Sequence, residues 1–245
     1  MKLLIPIFAL LLFFGCSSDK NPPELLLFSG VTMAKAAQEV CKEFEKENNC
    51  IIKINYGGSG NLIKMIQYNK TGDIFLPGSE KFYDDIDFYE DTALVGVNQL
   101  AIMIPKGNPK RVMNDIYELL REDLRCVVGN PESGSVGKET EIILKKSGIE
   151  KEVLLKAIYL TTDSKDLTKS ITEGKADITL NWKAAIFKND ASKSIDILEL
   201  PEKLINRNLL IVSDIKYSKN PDLAKKFIQF CKTDKCKQIF KDFGF

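Results

Sequence analysis

The sequence predicts an α/β fold in which mainly parallel sheets are flanked by helices. Short apolar runs alternate with segments whose apolar residues recur at helical spacing, and this alternation continues along most of the chain. Turns of small residues stand where the predicted strands end and the predicted helices begin. The 245 residues exceed the commonest domain size, so one large domain and two lobes are both compatible with the length.

The N-terminal residues predict export and lipid attachment. Lys2 precedes an apolar run over 3–14 that is too short to span a membrane comfortably as a helix. Residues 13–16, Phe-Phe-Gly-Cys, resemble a bacterial lipobox, in which signal peptidase cuts before a cysteine that carries lipid. The resemblance implies a signal peptide over 1–15, lipidation of Cys16 and a polar tether over 16–23. No aspartate follows Cys16, which favours the outer membrane in a two-membrane bacterium.

The elements before residue 98 predict one α/β lobe. Runs of apolar and β-branched residues predict strands, whereas apolar residues three or four apart, such as Ala37, Val40 and Phe44, predict helices. The strands cover 24–28, 51–55 and 73–77, and the helices that follow them cover 33–46, 61–68 and 78–85. A long apolar strand over 98–105 then ends in a Lys-Gly-Asn-Pro turn signal and leads into a second lobe.

The elements after residue 98 predict a second lobe that is inserted into the first. Its predicted elements are a helix over 112–120, a strand over 125–128, a loop and helix over 129–146, helices over 151–157 and 164–173, and a strand over 177–181. A strand over 209–212 and helices over 221–231 and 235–240 return to the first lobe. We therefore expect lobe 1 to comprise 24–97 with 199–245 and lobe 2 to comprise 98–198, with a ligand cleft between them.

The composition excludes several classes of function. Lysine and arginine number 35 against 34 acidic residues, so no basic surface for nucleic acid is expected. The chain contains no histidine, which removes the usual general base and the commonest metal ligand. We therefore expect no metal site.

The cysteines suggest disulfide bonds. Five follow Cys16, and an exported chain meets an oxidising compartment. The expected local pairs are Cys41 with Cys50 and Cys231 with Cys236, which leaves Cys126 in an apolar strand. Neither pair has the short thiolate spacing of a zinc motif.

Four junctions between a strand and a helix are candidates for binding an anion. Small residues there expose backbone N–H groups at the positive end of a helix dipole. Helix capping explains any single junction, whereas four in one exported chain favour an anion site. The candidate residues are Ser29, Gly30 and Thr32 at the first junction, Gly58 and Ser59 at the second, Ser135 and Val136 at the third, and Ser164 at the fourth.

The enzyme alternatives fit the sequence poorly. The glycine-rich stretch 129–137 fails as a nucleotide-binding loop in both alignments. Aligned from Gly129, it has Ser135 where lysine is needed; aligned on Gly137-Lys138, it has Glu132 at the first glycine and Glu139 where Ser or Thr should bind magnesium. The stretch around Ser59 lacks the second glycine of a hydrolase nucleophile elbow, and no histidine can accept the serine proton. A Ser-Lys dyad stays open, although no spacing points to one. We expect a protein that is not an enzyme.

With these junctions the chain resembles the periplasmic substrate-binding proteins of ABC transporters, and within them the molybdate/tungstate-binding branch. The resemblance covers nearly all of the chain after Cys16. It rests on the Phe-x-x-x-Thr junction at 28–32, the Gly-Gly-Ser-Gly segment at 57–60, Asp-Ile-Phe at 73–75, Gly-Asn-Pro at 129–131 and the C-terminal residues 239–245.

The resemblance implies a two-lobed type II fold with the ligand in the cleft between the lobes. It implies an oxyanion, molybdate or tungstate, held without a cationic side chain by the hydroxyls of Thr32 and Ser59. Backbone N–H groups near Thr32, Ser59, Val136 and Ser164 add donors, and Trp182 stands where the family has a tyrosine. No other cofactor is implied. The implied partner is a membrane permease that receives the anion, and we expect a monomer.

A neighbouring branch of the family gives an alternative function. It binds phosphorylated or carboxylated small molecules and includes bacterial surface antigens. Its Ala-Asp-x-x-x-x-Trp segment resembles residues 176–182 of this chain. This resemblance implies an adhesin or a receptor for another small anion, such as a phosphate ester, a carboxylate, sulfate or thiosulfate. Trp182 is also compatible with a packing role in the core.

Overall fold

The computed structural model describes residues 22–84, 86–187 and 190–245. The expected signal peptide, the lipidation site Cys16 and nearly all of the expected tether lie outside these residues. Within them, none of the helices is both long enough and apolar enough to cross a membrane.

The described residues form alternating strands and helices, which we number along the chain. The strands are β1 Glu24–Gly30, β2 Ile51–Gly57, β3 Ile74–Leu76, β4 Tyr89–Asn98, β5 Leu100–Pro105, β6 Val128–Gly129, β7 Leu160–Thr161, β8 Thr179–Trp182, β9 Ile195–Leu198 and β10 Asn208–Ile215. The helices are α1 Ala34–Asn48, α2 Ser59–Asn69, α3 Ser135–Lys146, α4 Glu150–Lys156, α5 Ser164–Thr172, α6 Pro221–Cys231 and α7 Asp234–Asp242. Short 3-10 turns connect several of them, and the α/β class is as expected.

Lobe 1 is built on a five-stranded sheet in the order β2-β1-β3-β10-β4. The strands β1, β2 and β3 pair in parallel, so their carboxyl ends meet at one edge of the sheet. The strand β10 pairs antiparallel with β3 and β4, which makes the sheet mixed. Helices α1, α6 and α7 share a core with this sheet, in which the rings of Phe44 and Phe227 meet edge to face at 5.1 Å.

Lobe 2 is built on a three-stranded antiparallel sheet and a two-stranded parallel sheet. The strand β5 pairs antiparallel with β8 and β9, and β6 pairs in parallel with β7. A parallel bridge between Cys126 and Ile178 joins the two parts. Helices α3, α4 and α5 contribute Leu144, Val153 and Leu167 to the core of this lobe.

Two segments carry the chain between the lobes, and they lie side by side where they join lobe 1. The strand β4 ends at Asn98 and β5 begins two residues later, whereas residues 199–207 lead from β9 back to β10. Asn98 pairs with Asn208 at the end of the β4–β10 ladder. The strand β4 leads out of lobe 1 at this junction and β10 leads back into it, so the two strands pair antiparallel.

Several elements differ from the sequence prediction, and the strands β7 and β9 are among those that it did not contain. The expected helices over 78–85 and 112–120 shrink to 3-10 turns at Glu80–Phe82 and Ile116–Leu120. The Glu80 carboxylate accepts the Leu209 N–H at 2.6 Å, which ties the first of these turns to β10. The strand β4 was not predicted, because the charged residues at its start interrupt the apolar pattern. The Asp214 carboxylate accepts the N–H groups of Glu90 and Asp91 at this start.

The expected disulfides are absent from the structure. Cys41, Cys50, Cys126, Cys231 and Cys236 are all buried free thiols. Cys41 and Cys231 point into the core beneath α1 and α6, where burial raises the pKa of each thiol. These side chains act as small apolar core residues in this structure, which corrects the expected Cys41–Cys50 and Cys231–Cys236 bonds.

Candidate functional site

The carboxyl ends of strands from both lobes surround one small cavity. Open α/β sheets bind ligands at such ends. The cavity measures about 10 Å³, close to the size of one water molecule. Its lining residues are Gly30, Val31, Thr32, Met33, Gly57, Gly58, Ser59, Gly78, Gly134, Ser135, Val136, Asp163, Ser164 and Trp182.

Three of the helices that point at this cavity begin without a side-chain cap. Glycine occupies the position before α2, before α3 and before the 3-10 turn that runs into α1, and no side chain bonds to the helix N–H groups there. The first N–H groups of a helix have no partner within the helix, and they carry the positive end of its dipole. Apart from the Asn61 N–H in α2, which donates to the Ser133 carbonyl, these uncapped ends present N–H groups that suit an anion.

The Ser59 hydroxyl is oriented by its neighbour. Ser59 is buried, and its Oγ accepts the Gly78 N–H at 3.0 Å. A serine hydroxyl has one hydrogen and two lone pairs, so accepting this bond leaves the hydrogen available for another acceptor. The sequence predicts Gly78 as the first residue of a helix, and no local signal indicates its role in orienting Ser59.

Two buried donors that line the cavity have no hydrogen-bond partner among the described residues. They are the Trp182 Nε1–H and the Ser164 hydroxyl. Trp182 is fully buried at the end of β8. Burying a polar group without a partner costs about 1–3 kcal/mol, so such groups commonly indicate a missing ligand or water.

The fourth helix, α5, differs because its N-terminus is already occupied. The Asp163 carboxylate accepts the N–H groups of Lys165 and Asp166 at 2.8 and 3.1 Å. Burial raises the pKa of Asp163, since its charged form is partly removed from water. Asp163 is the acidic residue in the lining, and among the described residues that line the cavity none is lysine or arginine. An anion here would be held by dipoles and neutral donors.

Glycines let the two lobes meet beside the cavity. An added Cβ on Gly58 would lie 2.6 Å from the Thr162 carbonyl oxygen, and closer still to that of Ser133. An added Cβ on Gly60 would lie 2.5 Å from the Glu132 carbonyl oxygen. The Asn61 N–H also donates to the Ser133 carbonyl across the lobes at 3.2 Å. The structure is therefore a closed arrangement that has room only for glycine at these contacts.

Most of the predicted ligand-binding residues lie around this one cavity. Thr32, Ser59, Val136, Ser164 and Trp182 line it, as do Gly30, Gly58 and Ser135. Ser29 does not: its hydroxyl is buried in β1 and donates to the Gly30 carbonyl at 3.2 Å. The sequence analysis did not name Val31, Met33, Gly57, Gly78, Gly134 and Asp163, which also line the cavity. All but Gly78 lie at or beside the four predicted junctions, whereas Gly78 was expected to begin a helix.

A family comparison identifies the class of protein. The model of the bacterial extracellular solute-binding proteins matches residues 25–245. The chain belongs to this family. This agrees with the resemblance to the substrate-binding proteins of ABC transporters that was found in the sequence.

Relatives and solved structures agree with this assignment. YvgL of Bacillus subtilis, named as an ABC transporter substrate-binding lipoprotein, is 29% identical over 97% of this chain and 94% of its own length. The periplasmic molybdate-binding protein of Azotobacter vinelandii matches with a TM-score of 0.75 at 16% identity, over 90% of this chain and 97% of its own. The sulfate-binding protein SubI of Mycobacterium tuberculosis matches with a TM-score of 0.78 at 15% identity, over 91% and 86%. The two structures show that this solute-binding protein has the two-lobed type II fold.

Proposed function

We propose that this solute-binding protein captures a tetrahedral oxyanion, with molybdate or tungstate as the first candidates, and delivers it to a membrane permease. The cavity supports this through the unpartnered Trp182 Nε1–H and Ser164 hydroxyl beside three uncapped helix ends. Donors directed from several sides suit a compact anion with acceptor oxygens all around it. The cavity in this structure is smaller than such an ion, so in this proposal the lobes part to admit the ion and then close around it less tightly than they do here.

We further propose that the mature protein is a monomeric, lipid-anchored receptor without catalytic turnover. The lipobox-like sequence before Cys16 and the name of the Bacillus subtilis relative support the anchor. The family is one of transport proteins, and the chain lacks histidine. Its only ligand in this proposal is the transported anion.

A second candidate ligand is an oxyanion or carboxylate that carries an organic group. A pocket of about 300 Å³ adjoins the cavity and shares Val31, Thr32 and Ser164 with it. Aromatic residues wall this pocket, and two lysines also line it. Its lining includes Tyr56, Phe187, Phe243, Lys35 and Lys165. This pocket is large enough for the organic part of a small phosphate ester, whereas a bare oxyanion has no group that would fill it.

The test is a thermal-shift screen of the mature chain with molybdate, tungstate, sulfate, thiosulfate, phosphate and small phosphorylated or carboxylated acids. A ligand at a hundred times its dissociation constant should add about 2.7 kcal/mol to the free energy of unfolding. We expect molybdate and tungstate to give the largest shifts, with a change in the fluorescence of the single tryptophan. A shift with organic anions alone would replace the first candidate with the second.

The effect of an Asp163 substitution on affinity should distinguish a fully deprotonated ligand from one that carries a proton. Asp163→Asn keeps an oxygen that can cap α5 but removes the acidic charge at the cavity. A bound dianion then loses a repulsion of roughly 1 kcal/mol, so molybdate should bind about 5-fold more tightly. Calorimetric titration measures the change.

The control for this substitution is Asp166→Asn in the same helix, because Asp166 does not line the cavity. It should leave the dissociation constant within about 2-fold of the unaltered protein, as expected for a screened charge. Weaker binding by Asp163→Asn would show instead that the carboxylate accepts a hydrogen bond from an O–H group of the ligand, as in hydrogen phosphate.

A further inference from the structure

A partly buried ion pair joins the two lobes at one side of the cleft. The Lys81 ammonium, in the turn Glu80–Phe82 of lobe 1, pairs with the Glu139 carboxylate on α3 of lobe 2. The Glu139 side chain is only 1% exposed, and its other oxygen accepts the Asn206 amide at 2.7 Å. Asn206 belongs to the segment that returns from lobe 2 to lobe 1. The carboxylate of this lobe 2 residue therefore bonds both to lobe 1 and to the crossing segment.

Glu139 is rigidly connected to the anion cavity. It lies one helical turn after Ser135 and Val136, whose backbone begins α3 at the cavity. That spacing corresponds to roughly 5 Å along the helix axis. A buried carboxylate so close would repel a bound anion, and the Lys81 ammonium offsets its charge. The pair forms only when α3 approaches lobe 1.

The segment 78–82 links this ion pair to the cavity and to the crossing point. At its start the Gly78 N–H orients Ser59, and the Ser79 hydroxyl donates to the Asn208 side chain at 3.0 Å. At its end the Lys138 ammonium lies 5.0 Å from the centre of the Phe82 ring and donates to the Lys81 carbonyl at 3.4 Å. Consecutive residues thus contact the cavity, the crossing point and the opposite lobe.

We infer that Lys81 and Glu139 form a latch that holds the lobes closed and sets the affinity for the anion without choosing which anion binds. The inference rests on the proposed function, since closure takes place around the ligand. A bound state that exists only in the closed form has an apparent affinity proportional to the closed fraction. Loss of the latch lowers that fraction and speeds release, whereas the contacts that recognise the anion stay the same.

The test compares Lys81→Ala, Lys81→Arg, Glu139→Gln and the double variant Lys81→Ala/Glu139→Gln in the mature chain. Small-angle X-ray scattering of the ligand-free proteins measures closure without any ligand. Molybdate is the probe for affinity, by calorimetry, and for release, by stopped-flow fluorescence of Trp182. The matched control is Lys145→Ala, because Lys145 pairs with Glu141 at 2.7 Å on the same helix but within lobe 2.

We expect Lys81→Ala to enlarge the ligand-free radius of gyration and to raise the dissociation constant for molybdate about 10- to 100-fold, mainly through faster release. Lys81→Arg should restore most of the affinity, and the double variant should lose less than the sum of the single losses. The ranking of molybdate, tungstate and sulfate should not change. An unchanged radius and release rate in Lys81→Ala, or equal effects in Lys145→Ala, would overturn the latch. If molybdate binds none of the proteins, the proposed ligand fails, whereas the scattering comparison still decides the latch.

Discussion

Gly58→Ala should abolish high-affinity anion binding, with a loss of more than about 100-fold, while both lobes stay folded. The backbone of Gly58 lies at φ −70° and ψ 140°, which alanine adopts without strain. The added methyl group would instead collide with the carbonyl oxygens of Thr162 and Ser133 on the facing lobe. Backbone atoms cannot rotate away as the end of a side chain can, so the lobes cannot reach the closed arrangement.

The matched control is Gly57→Ala in the same loop. Its added methyl group would lie 3.2 Å from a terminal carbon of Leu62, which belongs to the same lobe and can shift. Calorimetry with the tightest anion of the screen and scattering of the liganded proteins measure both variants. Binding by Gly58→Ala at the level of Gly57→Ala would show that the glycine contact does not limit closure.

Ser59→Ala should weaken anion binding by about 10- to 100-fold. It removes a donor to a charged ligand, which is worth about 1.5–3 kcal/mol, and it leaves the Gly78 N–H without its present acceptor. The second effect should also lower the melting temperature of the ligand-free protein. Thermal melts and calorimetric titrations separate the two effects.

Ser29→Ala is the control for this substitution. Ser29 is a buried serine of the neighbouring strand, and its hydroxyl bonds only locally to the Gly30 carbonyl. It should leave the anion affinity within about 2-fold of the unaltered protein, because it does not line the cavity. Equal losses in both variants would mean that the Ser59 hydroxyl has no direct role at the ligand.

The junctions between strands and helices were predictable because their signals are local. Small residues around Ser59 and Ser135 stand between a predicted strand and a predicted helix, and the topology of an α/β sheet brings such junctions to one edge. Trp182 came only from the family resemblance. Its unpartnered indole N–H is a property of the folded structure that no sequence pattern contains.

The rest of the site depends on contacts between distant parts of the chain. Lys81 and Glu139 are 58 residues apart, and neither stands in a recognisable motif. The sequence predicts Gly78 as the first residue of a helix, whereas in the structure its N–H donates to the Ser59 hydroxyl. The disulfide prediction rested on the oxidising compartment, because the sequence does not show which way the cysteine side chains point. In this structure they are buried as free thiols.

The central claim is that an oxyanion binds between the lobes through uncharged donors. A crystal structure of the mature chain grown with molybdate tests it most directly, because the anomalous signal of molybdenum locates the ion. We expect one strong peak in the cavity, with oxygens within hydrogen-bond distance of Ser59 Oγ, Trp182 Nε1 and the backbone N–H of Val136. A peak elsewhere, or coordination of the ion by a lysine of the adjoining pocket, would contradict the account.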